Sequence, residues 1–115
     1  MNMRRFQALG RLRPGQMNKT EAKYAGYLEL RKAAGEVLWY AFEPIKLRLA
    51  DNTFFTPDFA VLPDSLVLEL HDVKGSRAIY TDDAKVKTKV AASTFPFIFR
   101  LAFPTKGGGW DIEEV

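Results

Sequence analysis

The chain has no cysteine and a single histidine, His71, and these two shortages exclude more than its abundances do. Without cysteine there is no disulfide framework and no thiolate metal site, and the composition suits a reducing compartment. One imidazole is too few for ribonuclease chemistry that divides its proton transfers between two histidines, or for a histidine-rich zinc hydrolase site. A Ser-His-Asp arrangement would have to be built on His71 alone. No stretch approaches the roughly 18 consecutive apolar residues of a membrane-spanning helix. The opening MNMRRFQALGRLRPGQ has basic residues but no long apolar segment behind them, so a secretory signal is not expected. An enzyme made from this chain that acts on phosphate or acyl groups must therefore work with carboxylates, lysine and a hard cation.

What is present points to one folded domain: 115 residues, 47% hydrophobic, with nine Phe. The net charge of +3 is unevenly spread. Residues 1–20 carry Arg4, Arg5, Arg11, Arg13 and Lys19 and no acid, whereas Asp111, Glu113 and Glu114 follow Gly109 with no base. Such a basic arm attracts polyanions, nucleic acid first, or simply solubilises a terminus. Its two Gly, one Pro and scattered Arg predict a flexible segment over 1–17, leaving 18–115 as the domain.

Along that domain Asn18-Lys19-Thr20-Glu21 opens a helix to about Gly35, with Tyr24, Ala25 and Leu28 on one face. VLWYAFEPIKLRLA predicts a half-buried strand, broken or bulged near Pro44. Asp51-Asn52 is a turn, and Thr53 to Val61 should return as the other arm of a hairpin. Pro63-Asp64-Ser65 turns again into a third strand, Leu66 to Lys74. Thr81-Asp82-Asp83 caps a second helix through about Ser93, and Phe95 to Phe103 makes a last strand. The order is α-β-β-β-α-β, an α/β fold.

Two carboxylates and a lysine sit where this sheet should be most buried. Leu68, Leu70, Asp72 and Lys74 share one strand face by alternation. If Pro63-Asp64-Ser65 is a three-residue loop, Leu62 pairs with Leu66. Asp58 then lies opposite Leu70 and diagonal to Asp72 on the same face, roughly 7–8 Å away at Cα. A two-residue loop would put the two acids on opposite faces. Convergent carboxylates repel unless a cation or proton intervenes, and Mg²⁺ with its retained waters suits them. With Lys74 projecting from the same face, the set is sufficient for phosphodiester hydrolysis. The alternative is a structural ion pair beside a turn-flanking Asp.

Pro57-Asp58, 13 intervening residues, then Asp72-Val73-Lys74 resembles the PD-(D/E)xK nuclease superfamily, and the element order is similar to that superfamily's core over about residues 18–103. NKTEAKYAGYLELRKAAGEV and GGGWDIEE look like the flanks of its small phage-type endonucleases, neighbours of the Holliday junction resolvases. The resemblance implies a restriction-endonuclease-like αβββαβ core, a mixed central sheet flanked by helices. It implies a Mg²⁺-dependent endodeoxyribonuclease, with Mn²⁺ as a substitute, selective for branched DNA, homodimeric, not membrane-bound and acting in a bacterial host's cytoplasm. Asp58 and Asp72 would be metal ligands, completed by the Val73 backbone carbonyl, with Lys74 catalytic. Glu21 would be the acid that the first helix aims at the site, although Asn18-x-x-Glu21 is also a capping-box spacing. Lys87 would be the second-helix lysine that faces the site, with Lys85 and Lys89 either beside it on DNA or solvated. Arg4, Arg5, Arg11, Arg13 and Lys19 would grip phosphates.

Glu69 and His71 point to the opposite strand face. Glu69 could replace an acid only if a bulge shifted the register, and His71 should pack against a helix or a partner. Trp110 and FPFIFRLAF read as core or dimer packing. The alternatives to a junction nuclease are a DNA-binding module that does not cut and a general or restriction-type nuclease. A single-stranded or RNA substrate is not favoured, because the sequence offers few surface aromatics near the site for stacking.

Overall fold

In the computed structural model, which describes residues 15–115, Asn18 caps the first helix from both directions. Its side chain accepts from the Glu21 N–H at 2.8 Å, and the Glu21 carboxylate accepts from the Asn18 N–H at 2.9 Å. This capping box starts α1 (Lys19–Ala33), whose buried side chains are Tyr24 and Leu28, one turn apart. Gly35 stops it with φ +82°, a left-handed cap that a Cβ would strain. There the Gly35 N–H donates to the Lys32 carbonyl at 3.0 Å, and the Glu36 N–H to the Arg31 carbonyl at 2.9 Å. Arg4, Arg5, Arg11 and Arg13 lie outside the described residues.

The stretch expected to break near Pro44 does so, and its halves join different sheets. β1 (Val37–Phe42) belongs to the central sheet and β2 (Leu47–Ala50) to a separate ribbon. Glu43 turns the chain with φ +50°, and Pro44 has no N–H to extend a ladder. β2 pairs with β3 (Thr53–Phe55) through Asp51-Asn52, as the turn signal predicted. The second arm does not run on to Val61. Pro57 again removes a ladder donor, and the chain leaves the ribbon to enter β4 (Phe59–Pro63) against β1.

β5 is Glu69–Val73, shorter than the expected Leu66–Lys74, because Leu66 takes φ +69° in the turn that follows Pro63. After a 3₁₀ turn (Arg77–Ile79), Thr81 caps α2 (Asp82–Thr94) as expected. β6 (Ile98–Pro104) begins three residues later than the expected Phe95, since the Phe95 N–H is still donating to the Ala91 carbonyl at 3.0 Å. β7 (Trp110–Glu114) was not expected. Its sequence does alternate, Trp110 and Ile112 inward against Asp111 and Glu113 outward, but an acidic end after three glycines masks the period.

The central order is β1-β4-β5-β6-β7, with β5 and β6 parallel across the α2 crossover and every other pairing antiparallel. The fold is thus α/β with a mixed sheet and two helices. On one face α1 packs through Tyr24 and Leu28 onto Val37, Phe59, Val61, Val73 and Ala102. On the other, α2 and the ribbon pack through Ala91 and Leu47 onto Ala60, Leu70 and Phe99. Among the described residues no helix is long and apolar enough to cross a membrane.

Candidate active site

β4 pairs with β5 so that Phe59 faces His71, Ala60 faces Leu70 and Val61 faces Glu69. One step beyond, Asp58 stands directly opposite Asp72. Asp58 was expected opposite Leu70, and the observed register is two residues further on, because β4 and β5 pair symmetrically about Ser65 rather than Asp64. Parity is kept, so both acids still share a face. They sit at the end of the sheet, where β4 begins and β5 finishes, at the floor of a pocket of about 460 Å³. Glu21, from the start of α1, and Phe55, Thr56, Val73, Lys74 and Ile79 complete its walls.

The two acids bond across the strands. The Asp58 carboxylate accepts from the Val73 N–H at 2.7 Å, and the Asp72 carboxylate accepts from the Asp58 N–H at 3.3 Å. Lys74 Nζ lies 2.9 Å from the other Asp72 oxygen. Burial, then the Asp72 charge and more weakly that of Glu21, push the Asp58 carboxyl up to about 9, against the lowering effect of the Val73 N–H. For Lys74, burial alone would lower the pKa, but the charges of Asp72 and Asp58 and the bond to Asp72 outweigh it, and the ammonium is held above its ordinary value.

Even beside Lys74, then, the acid pair remains short of positive charge. Among the described residues no three acid or imidazole side chains form a ready-made metal cluster. The fit to a divalent cation rests instead on Asp58 and Asp72 with a backbone oxygen. Extending the observed register sets Val73 opposite Pro57, which has no N–H to give the Val73 carbonyl. Two carboxylates and one carbonyl are hard oxygen donors of the kind Mg²⁺ or Mn²⁺ takes alongside water. Glu21 closes the capping box through its carboxylate and also lines the pocket wall.

The other candidates divide. Lys19, Lys85, Lys87 and Lys89 are exposed, and none of them lines the pocket. On α2 it is Thr88 and Ala91 that turn to the sheet, and Lys85 lies 5.6 Å from the Tyr80 ring. Glu69 and His71 face α1, with no bulge between β4 and β5 to bring Glu69 round. His71 is fully buried, 2.6 Å from the Tyr24 hydroxyl at Nδ1 and 2.7 Å from Glu69 at Nε2. Arg100 closes on Glu69 from β6 at 3.0 Å. The acidic tail is used locally: Asp111 and Glu113 both bind Arg77, whose guanidinium lies 4.2 Å over the Phe103 ring. That clasp ties the 3₁₀ turn carrying Ile79 to β7, and the sequence reading missed it along with the strand. No family model matches this chain, and no curated protein or solved structure does either.

Proposed function

We propose that this chain is a divalent-metal-dependent endodeoxyribonuclease of the PD-(D/E)xK type, with a restriction-endonuclease-like core and branched DNA as its preferred substrate. The observation that carries the reading is the facing of Asp58 and Asp72 across β4 and β5, with Lys74 on the same face, in one open pocket. The order of α1, the strands, α2 and β6, with a single parallel crossover, is compatible with that core. In this reading Asp58, Asp72 and the Val73 carbonyl would hold Mg²⁺, with Glu21 beside them in the pocket wall. When bound there, the ion supplies Lewis-acid charge compensation and activation of water. The chain's own contribution is Lys74, kept cationic at neutral pH and aimed by Asp72 where negative charge gathers on a phosphoryl oxygen. Hydrolysis joins water oxygen to phosphorus and breaks one ester P–O bond, the departing oxygen taking a proton. Paired incisions across a junction would need two such sites, which a homodimer provides.

Metal binding has a readout apart from cleavage. The folded pKa of Asp58 is raised above its unfolded value, so the stability it contributes is present below about pH 4 and is lost as pH rises toward 9. In EDTA the melting temperature is expected to fall between pH 6 and 9, with a shallower slope in Asp58→Asn. Mg²⁺ should raise it at both values and more at pH 9, where less proton must be displaced. A melting temperature indifferent to Mg²⁺ at both values would remove the metal site.

Cleavage is tested on a synthetic four-way junction and a linear duplex of the same arms, each with Mg²⁺ and with EDTA. Cutting that needs Mg²⁺ and prefers the junction is the expected result. Equal cutting of both would leave a general nuclease. Tight binding without cutting under any divalent ion would replace the enzyme with a non-catalytic DNA-binding module.

A further inference from the structure

The β2–β3 ribbon has an inner face absorbed by the core and an outer face that the fold does not need. Leu47, Leu49 and Phe55 point inward among Ala60, Ala91 and Phe99. Lys46, Arg48 and Phe54 point outward. Arg48 is the cross-strand partner of Phe54, and Lys46 Nζ lies 4.5 Å from the centre of the Phe54 ring. Phe54 is 40% exposed, although a threonine would satisfy the same strand position facing water. Lys46 meets no carboxylate among the described residues. Arg48 meets only Asp51, at 3.2 Å in a pair that is largely solvated and easily exchanged for a phosphate.

The placement of this strip matters. The chain runs on from Phe54 into Phe55, the last residue of β3, and Thr56, both in the pocket wall, and Asp58 follows. At most about 13 Å of extended chain separates Phe54 from Asp58 at Cα. An aromatic face between two cations, this close to a carboxylate pocket, matches a nucleotide strand whose base is free to stack. In a paired duplex the bases already stack on each other, leaving Phe54 only backbone to touch.

We propose that the outer face of the ribbon is a stacking platform for an unpaired nucleobase, with Lys46 and Arg48 holding the adjacent phosphates. The substrate class is then nucleic acid with unpaired nucleotides beside the scissile bond: a flap, a bulge or an open junction centre. The scarcity of surface aromatics that counted against single-stranded substrates does not hold at Phe54. The proposal rests on the hydrolytic reading for the direction in which the strand enters the pocket; the stacking itself does not depend on it.

The test is binding in EDTA, by fluorescence anisotropy, of a duplex carrying a three-nucleotide flap and of a fully paired duplex of equal length. Phe54 is exposed, so Phe54→Ala should keep the fold, and a thermal melt checks this. The variant is expected to weaken flap binding about tenfold and to leave the paired duplex unchanged, while Phe54→Trp retains flap binding. Lys46→Ala should weaken both and lower the salt dependence by about one phosphate contact. Equal loss on both substrates, or no loss on either, would overturn the platform. Cleavage by the wild-type chain in Mg²⁺ is scored separately. A flap-specific Phe54 effect without cleavage defeats the hydrolytic reading alone, and cleavage without that effect defeats the platform alone.

Discussion

Lys74→Ala is expected to lower Mg²⁺-dependent DNA cleavage by about 10²–10⁴-fold while leaving the Mg²⁺-induced rise in melting temperature intact. The two readouts separate because Lys74 touches Asp72 but lies outside the oxygen donor set. Removing its ammonium leaves Asp58 and Asp72 with less positive charge between them, so the pair's demand for a cation grows rather than falls. On the proposed reading, cleavage would lose the cation that, among the described residues, lines the pocket beside the acid pair. Asp72→Asn should behave differently. It removes a ligand and the anchor of Lys74 together, so both cleavage and the Mg²⁺ stabilisation should disappear. Cleavage by Lys74→Ala at the wild-type rate would end the assignment. So would loss of the Mg²⁺ response in Lys74→Ala to the same degree as in Asp72→Asn, because Lys74 would then be a structural partner of the acids and nothing more.

This contrast is available because local signals placed the site better than they placed the strands around it. The capping box at Asn18 and Glu21, the stop at Gly35 and the Thr81 cap are short-range chemistry, and both helices start and end within a residue or two of where the sequence puts them. Strand partners are a long-range property. Nothing between Val37 and Val61 states that its four segments divide between two sheets, although Pro44 and Pro57 mark the points of division. The turn after Pro63, centred one residue later than expected, shifted the partner of Asp58 by two residues without moving it to the other face, because only an odd slip reverses a strand. The acid pair was therefore legible by parity while its geometry was not. The ribbon's outer strip was hidden for a related reason. Phe54 and Phe55 are identical neighbours in the sequence, and only the pairing of β2 with β3 reveals which one the core takes.

What keeps Asp72 in place is the opposite face of its own strand, and that face carries the second large prediction. His71 follows Glu69 by two residues and precedes Asp72 by one, so β5 presents a buried polar chain to α1 and the carboxylate pair to the pocket. Burial holds the His71 pKa below its ordinary value, against the raising effect of Glu69. A neutral ring fits both contacts, with Nε2–H donating to Glu69 while Nδ1 accepts from the Tyr24 hydroxyl. For Glu69, burial would raise the pKa, but the bonds from His71 and Arg100 outweigh it and lower the carboxyl to about 2. Both groups make the protein acid-sensitive. The unfolded chain takes up a proton on His71 below about pH 6.5 and on Glu69 below about 4.5, and the folded chain resists each. Stability from this network is thus complete at neutral pH and falls as pH drops from 6.5 toward 2. His71→Ala opens a buried cavity, strands the Tyr24 hydroxyl and leaves Glu69 Oε1 with Arg100 as its remaining partner, and is expected to cost about 3 kcal/mol or more. In a chain of this size that is about 10–20 °C in melting temperature. Glu69→Gln keeps the volume and should cost less, while flattening the acid limb of the stability profile. Because Glu69 points away from Asp58 and Asp72, Glu69→Gln should retain cleavage at temperatures where it is folded. A variant that kept its stability and lost cleavage would put Glu69 in the chemistry, contrary to the face it occupies.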